Sequence, residues 1–375
     1  MTERTEGKAS AASLRYLAQL DGIRGFAVIL VVLYHLGYLT AGWGPRPFPG
    51  GFVGVDVFFA LSGFLITTGL VSQLERNGRV RLGDFAVRRF RRLVPALAFA
   101  VLGVVILIPL LGGGLGTAGR NSALGSLLYV SNWQQADGQQ FLLHLSHTWS
   151  LSVEAQFYLV WPLILLVVYR LRLPRVVFAC LLVATAAAIA VHRWRMWTDQ
   201  AHFLPLSVRT DTRADVILLG CLGALMCSWG WIGAATGRRL RIPAIVAIGV
   251  ILYVALDSET GDVRLYRGPL LSMVAVICAV LVVAAVLDPG WWLHRCWRAG
   301  FLVLLGQRSY SLYLWHVPIF VLISEHMGTR PQWLRLSVGL PLAAAATELS
   351  YRLVENRFRH RSASAPAQAI LREST

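Results

Sequence analysis

The chain has 375 residues, of which 56% are hydrophobic and only 14% are charged. Soluble domains carry about 25% charged residues, so this composition excludes an ordinary soluble protein and indicates a polytopic membrane protein. The formal net charge of +16 is interpreted by its position along the chain, because Lys and Arg set membrane topology, and no nucleic-acid partner is expected. The five cysteines form no Cys-x-x-Cys pair, so neither a disulfide framework nor a metal site is predicted.

Apolar windows of about 20 residues predict membrane-spanning helices. Ten such windows occur, at residues 22–42, 52–73, 92–112, 150–170, 174–192, 214–231, 240–256, 268–287, 301–323 and 334–354. We therefore expect an all-α fold, a polytopic membrane helical bundle of about ten transmembrane helices. The shorter apolar segment 123–132 is expected to be re-entrant or to lie at the interface.

The positive residues are distributed unequally between the two sides that these windows define. Most of the 35 Lys and Arg residues fall on the side that carries both termini, which predicts that this side is cytoplasmic. We expect a multi-pass protein of the bacterial plasma (inner) membrane with one membrane domain at residues 15–360. The polar segments 1–14 and 361–375 are expected to be disordered cytoplasmic tails.

The first window carries two ionisable residues, Arg24 near its cytoplasmic end and His35 in mid-membrane or slightly beyond. Their eleven-residue separation is about three helical turns, so both side chains lie on one face about 16 Å apart along the axis. In one interpretation Arg24 snorkels to the headgroups and His35 bonds a neighbouring helix. The other interpretation is an anion contact plus a general base, since neutral imidazole accepts a proton near pH 7.

Asp56 lies near the start of the second window. The small residues Gly54, Ser62 and Gly63 favour close helix packing. They do not explain a carboxylate at this depth, which needs a partner, and we expect that partner to be His35 or an arginine.

Four arginines precede the third window, namely Arg88, Arg89, Arg91 and Arg92. They either hold this loop in the cytoplasm or bind phosphate groups with their guanidinium forks. A polyphosphate donor such as coenzyme A needs several such cations.

The fourth window opens with Trp149 and Ser150 and contains Glu154 and Gln156. An aromatic belt at the membrane interface explains the tryptophan, but it does not explain a glutamate and a glutamine inside a span. Glu154 is therefore a candidate to orient or charge-balance a catalytic histidine.

Two later motifs carry the remaining candidates. Asp211 and Asp215 flank Arg213, so this motif is either a self-contained ion network or a contact of Arg213 with substrate. Further on, Tyr310 and His316 fall along one helical face together with Tyr313, which suits the wall of a substrate cavity.

Together and in this order, these motifs resemble the integral-membrane acyltransferase family 3 across about residues 15–360. The matching positions are Arg24 and His35; Gly54 to Gly63; Arg88, Arg89, Arg92 and Pro95; Trp149 to Tyr158; and Ser309 to Pro318.

Two positions depart from the pattern of that family. Ala155 stands where the family often has a second glutamate, so any role of that residue is absent here. Arg357 replaces a proline that commonly follows the position of Glu355, which we expect to alter only the exit of the last helix.

The resemblance implies a membrane-bound O-acyltransferase that moves an acyl group, often acetyl, from cytoplasmic acyl-CoA to a hydroxyl. The acceptor would be a sugar, a glycolipid, a cell-envelope polysaccharide or a hydrophobic natural product such as a polyketide, and acyl-CoA would be a donor substrate with no permanently bound cofactor. His35 would be the general base, supported by Glu154 or Asp56. The substrate-binding residues would be Arg24, Arg88, Arg89, Arg92, Trp149, Ser150, Arg213, Tyr310 and His316.

A transporter or flippase of acyl or glycolipid groups is the alternative, because buried Arg, His and Asp also mark substrate and proton pathways. The sequence has no evident inverted repeat and no paired broken helices, which are typical of transporters. A structural membrane scaffold is a second alternative, which leaves the intramembrane ionisable residues unexplained. The acceptor, the acyl length, the oligomeric state and the choice between direct transfer and a covalent intermediate stay open at this point.

Overall fold

The computed structural model describes residues 17–40, 47–198, 203–288 and 290–360. Within these ranges every regular element is a helix and no strand occurs, so the expected all-α fold is confirmed. The predicted tails at 1–14 and 361–375 lie outside the described residues.

Two short 3₁₀ turns interrupt the helices of the first part of the chain. These turns are Gly51–Val53, which leads into α3, and Leu143–Thr148, which leads into α7. The helices are α1 (Ala18–His35), α2 (Gly37–Thr40), α3 (Gly54–Asn77), α4 (Leu82–Leu110), α5 (Gly116–Leu127), α6 (Ser131–Ala136), α7 (Trp149–Arg170) and α8 (Arg175–Met196).

The second part of the chain alternates long helices with short ones, and a π-helical turn at Tyr351–Glu355 joins its last two. These helices are α9 (Phe203–Val208), α10 (Thr210–Ser228), α11 (Ala234–Arg239), α12 (Arg241–Asp257), α13 (Val263–Tyr266), α14 (Leu270–Leu287), α15 (Leu293–Trp297), α16 (Gly300–Met327), α17 (Gln332–Ser350) and α18 (Asn356–His360).

Six segments among the described residues are long and apolar enough to cross a membrane. They are Ala18–Thr40, Gly51–Asn77, Leu82–Leu110, Leu143–Arg170, Arg175–Met196 and Leu270–Leu287. The expected count of about ten spans is not confirmed. The other four predicted windows fall on α10, α12, α16 and α17; α12 has only 17 residues, and α10 carries buried Arg213 and Asp215 in its first two turns.

Glycines hold α1 directly against α16. A methyl group at Gly25 would overlap the carbonyl oxygen of Leu302, and a methyl group at Gly306 would overlap that of Asp21. Only small residues permit helix backbones to approach this closely. Gly63 of α3 lies in the same way against the backbone of α10, which confirms the close packing predicted at that position.

Helices α5 and α6 form a hairpin beside α7. The hydroxyl of Thr148, the residue before α7, lies 2.9 Å from that of Ser126 on α5. Further along α7, the Gln156 side chain donates to the carbonyl oxygen of Tyr129, in the turn of the hairpin, at 3.0 Å. Gln156 lies seven residues after the start of α7 at Trp149. At a rise of 1.5 Å per residue, the turn of the hairpin therefore lies about 10 Å along α7. The segment 123–132 therefore turns beside α7, and its depth in the membrane, re-entrant or interfacial, stays a prediction.

Candidate active site

Five helices, α1, α3, α4, α7 and α16, enclose an inner cavity of about 100 Å³. Its walls combine apolar side chains with arginines, hydroxyls and one carboxylate. The sequence-predicted site residues that line it are Arg24, Arg89, Arg92, Ser150, Glu154 and Tyr310.

Glu154 occupies this cavity from the second turn of α7. Its carboxylate accepts hydrogen bonds from the Ser62 hydroxyl at 2.7 Å and from the Tyr158 hydroxyl at 2.8 Å. The guanidinium of Arg24 donates to Ser309 Oγ at 3.2 Å in the same cavity. A carboxylate held by two hydroxyls thus shares this cavity with a guanidinium, so their charges partly balance.

The arginine cluster at the start of α4 divides into two sets. Arg89 and Arg92 line the inner cavity, and the Arg89 guanidinium lies over the ring of Tyr158 at 5.5 Å from its centroid. Arg88 is exposed and lies outside this lining. Arg88 therefore adds nothing to the wall of this cavity, and its role in substrate binding stays a prediction.

Tyr310 lines the inner cavity but also has a structural contact. Its hydroxyl donates to the carbonyl oxygen of Leu93 at 2.7 Å. This hydrogen bond joins α16 to α4 across the cavity.

A larger outer cavity of about 520 Å³ lies towards the other end of α1. Three predicted site residues line it, namely His35, Trp149 and Arg213. His147 also lines it, with only 3% of its surface exposed.

Two side chains, those of Val55 and Tyr313, line both cavities. The Tyr313 hydroxyl donates to the carbonyl oxygen of His147 at 2.9 Å, which fixes its ring at the boundary. The two cavities are therefore direct neighbours, one containing Arg24 and the other containing His35.

His35 is the last residue of α1, so it lies nearer the outer end of the segment than its middle. Its Nδ1 lies 2.8 Å from the carbonyl oxygen of Val31 and 3.2 Å from Nε2 of His316. A carbonyl oxygen only accepts hydrogen bonds, so we assign the proton of His35 to Nδ1. The same logic places the His316 proton on its Nδ1, 3.0 Å from the carbonyl oxygen of Leu312. This tautomer places the basic lone pair of His35 on Nε2.

His316 does not line the substrate cavity as the sequence predicted. It is fully buried, lies outside the lining of both cavities and packs against His35 with ring centroids 4.9 Å apart. A carboxylate was expected beside His35, but Asp56 pairs with Arg213 at 2.8 Å and the hydrogen bonds of Glu154 go to hydroxyls. The neighbour that these contacts give to His35 is a second imidazole.

The charged motif at the start of α10 forms separate ion pairs instead of one self-contained network. Arg213 binds Asp56 of α3 at 2.8 Å, and Asp215 binds Arg193 of α8 at 3.1 Å. Asp211 pairs with Arg209 of the same motif, with 2.7 Å between guanidinium nitrogen and carboxylate oxygen. The first two pairs are buried and fix α10 against two neighbouring helices.

Sequence reasoning placed Tyr313 on a cavity wall but gave no role to Ser62 or Tyr158, whose hydroxyls hold Glu154. Tyr313 shares a helical face with Tyr310, so periodicity contained the signal for it. Ser62 carries no such local signal, because its partner Glu154 is 92 residues away in sequence.

Two kinds of comparison bear on this site. A family model described as an acyltransferase domain matches residues 17–351. The peptidoglycan O-acetyltransferase OatA of Listeria monocytogenes is 33% identical over 366 residues, which cover 92% of this chain and 56% of that protein. The O-acetyltransferase OatA of Staphylococcus aureus is 32% identical over 367 residues, which cover 92% of this chain and 58% of that protein.

The chain spans less than two thirds of the length of these relatives. No solved structure shows a significant match to it. The family model covers nearly all of the described helices, including every element that lines the inner and outer cavities. This chain belongs to the integral-membrane acyltransferase family 3.

Proposed function

We propose that this chain is a membrane-bound O-acyltransferase that moves an acetyl group to a hydroxyl of a cell-envelope polysaccharide. Its family and the names of its relatives, which are O-acetyltransferases, support this activity. The observation that carries the proposal is the pair of neighbouring cavities, one lined by Arg24 and the other by His35.

Cytoplasmic acyl-CoA is the donor in this proposal. Arg24, Arg89 and Arg92 bind its phosphates, because guanidinium forks match phosphate oxygens. The inner cavity of about 100 Å³ has room for a slender chain only, so the nucleotide stays at the arginine-lined end. Eleven residues separate Arg24 from His35, or about 16 Å along α1, a distance that an extended pantetheine arm spans.

His35 is the general base of the transfer. Its Nε2 takes the proton of the acceptor hydroxyl, and the resulting oxygen nucleophile attacks the carbonyl carbon of the thioester. The carbon–sulfur bond breaks, and the leaving thiolate receives the proton from His35. His316 holds the ring in the required tautomer, which is the role that an aspartate fulfils in a serine-hydrolase triad.

Glu154 supports the donor side in this proposal. Its carboxylate, fixed by Ser62 and Tyr158, interacts electrostatically with Arg24 and Arg92. It thereby positions the guanidinium groups before the phosphates arrive and offsets their mutual repulsion.

The outer cavity takes the acceptor. Its lining includes Tyr34, Tyr38, Trp149 and Tyr266, and aromatic rings of this kind suit the apolar faces of a sugar. With the donor in one cavity and the acceptor in the other, the acyl group crosses between the two sides of the membrane during the reaction.

A transporter or flippase is the second candidate, because two cavities at opposite ends of a helical bundle also suit alternating access. The two candidates differ in chemistry. A transporter leaves labelled acyl-CoA intact, whereas an acyltransferase releases free coenzyme A when an acceptor is present.

The test uses purified protein in lipid nanodiscs with labelled acetyl-CoA and soluble peptidoglycan fragments. We expect the unchanged protein to form a base-labile glycan ester and His35→Gln to lower the rate by at least about 10²-fold, the usual contribution of a general base. Both proteins should unfold at the same temperature. A His35→Gln protein with an undiminished rate would remove His35 from the mechanism, and absence of turnover by the folded, unchanged protein would favour the transporter.

A further inference from the structure

A third cavity opens on the flank of the bundle between α4, α7 and the α5–α6 hairpin. It measures about 1250 Å³ and is lined mostly by apolar side chains. At its edges, Phe90, Leu128 and Leu159 are 60%, 69% and 71% exposed. Exposed apolar side chains on a spanning helix face lipid, so this cavity, the lateral groove, opens to the bilayer.

The positive charge of the lateral groove is concentrated towards one end. The groove follows α4 from Phe85 to Pro95, about 15 Å at 1.5 Å per residue. Arg89 and Arg91 line it, and side chains on a helix lean towards its N-terminus. Their guanidinium groups therefore lie towards the Phe85 end, which the charge distribution predicts to be cytoplasmic.

An apolar channel with cations at one end complements an amphiphile that has an anionic head and aliphatic chains. We propose that the lateral groove binds one anionic phospholipid of the cytoplasmic leaflet. Its phosphate contacts Arg91, which lies outside the lining of the inner cavity, and one acyl chain lies against Leu128, Ala155 and Leu159.

The C-terminal segment of the chain is another conceivable occupant of the lateral groove, and its charge argues against it. Phe358 lines the cytoplasmic end of the lateral groove, and the sequence continues with Arg359, His360 and Arg361. Arg359 and Arg361 have the same formal charge as Arg91, and like charges do not attract each other. An anionic headgroup is attracted to the same place.

The bound lipid would support one wall of the inner cavity from outside. Arg89, Leu93 and Tyr158 line both the lateral groove and the inner cavity. A lipid seated in the groove therefore packs against the far side of the wall that carries Arg89. Ala155 contributes to this seat, since a charged side chain at that position would place a charge against the lipid chain.

The first test fills the groove. The protein is reconstituted in nanodiscs with equal amounts of phosphatidylglycerol and phosphatidylcholine, extracted in mild detergent and weighed by native mass spectrometry. We expect the unchanged protein to retain one phosphatidylglycerol at least fivefold more often than phosphatidylcholine. Ala155→Phe should lower this retention at least fivefold, whereas Ala187→Phe, at an exposed position of α8, should leave it unchanged.

The second test removes the cation and decides the matter if Ala155→Phe does not fold. Arg91→Gln should reduce the preference for phosphatidylglycerol to near equality, and Arg175→Gln, an exposed arginine at the start of α8, should not. Equal retention of the two lipids by the unchanged protein would overturn the proposal, as would full retention by folded Ala155→Phe or Arg91→Gln. None of these readouts requires acyl transfer, so they stand apart from the proposed function.

Discussion

In the wall of the outer cavity, the His35 ring is fixed by the Val31 carbonyl oxygen and by His316 Nε2. A carboxylate in this position would bring a negative charge deep into the membrane, where an unpaired charge is costly. A neutral imidazole accepts the same hydrogen bond without that charge. In the proposed mechanism, the pair of histidines would therefore provide the orienting contact of a catalytic triad without a buried carboxylate.

Replacing His316 tests this orienting role. We expect His316→Leu to lower kcat by about 10²-fold, because the imidazolium formed during proton transfer loses the contact that stabilises it, while KM for acetyl-CoA changes less than twofold. The measurement is steady-state acetyl transfer by purified protein. His326→Leu, at an exposed position of the same helix, is the matched control and should keep the unchanged kcat. A rise in KM with kcat unaltered would instead place His316 in substrate binding.

In our interpretation, the buried ion pair of Asp56 and Arg213 stabilises the fold. Both side chains are at most 2% exposed, so removing either one leaves a buried charge without its partner, at a cost of about 3–5 kcal/mol. We expect Asp56→Leu and Arg213→Leu each to lower the thermal unfolding temperature strongly in detergent. The double variant should unfold at a higher temperature than either single variant, and an additive loss would contradict the pairing.

Sequence reasoning found many of the site residues for a physical reason. An ionisable side chain inside an apolar window is costly, so Arg24, His35 and Glu154 are conspicuous without any structure. Their partners are not, because the contact of His35 with His316 joins positions 281 residues apart. Nothing in local periodicity encodes such a pairing.

At the scale of elements, the contact between α1 and α16 sets the distance between the two sides of the site. Gly25 and Gly306 place the helix backbones in contact, and the helices carry Arg24 and His35 on one side and Ser309 on the other. A separation of the helices would therefore break the contact of Arg24 with Ser309 as well as the packing.

Alanine at Gly306 should show this dependence. The added methyl group would overlap the carbonyl oxygen of Asp21, so we expect Gly306→Ala to lower both the unfolding temperature and the transfer rate. The control is Gly69→Ala on α3, where a methyl group meets nothing within 4 Å. Helix propensity alone favours that change by about 1 kcal/mol, so the control should unfold at the same temperature or slightly higher. Equal behaviour of the two variants would contradict the close helix contact.

The α5–α6 hairpin marks a limit of sequence reasoning at this scale. Its apolar segment 123–132 is too short to span a bilayer, which left an interfacial and a re-entrant form open. The hydroxyl contact between Ser126 and Thr148 and the amide contact of Gln156 place the hairpin beside α7, and both forms agree with them. These contacts are made by side chains from separate helices, so the hydropathy of the segment alone does not reveal them.

At the scale of the whole molecule, six segments within the described residues meet the length and apolarity of a span, against about ten predicted windows. The difference concerns helices such as α10 and α16, whose interiors carry polar residues for the outer cavity and for the His35 contact. Average hydropathy falls where a helix lines a cavity. The count of spans and the location of the site are therefore linked in this chain.

The most direct test of the proposed transfer uses sealed vesicles in which the orientation of the protein has been assigned by the accessibility of terminal tags. Labelled acetyl-CoA is supplied on one side and glycan acceptor on the other, and ester formation on the glycan is measured. We expect labelled glycan only when the donor is on the side of Arg24 and the acceptor is on the side of His35. Labelled glycan formed at the same rate with both substrates on one side would contradict transfer between the two cavities.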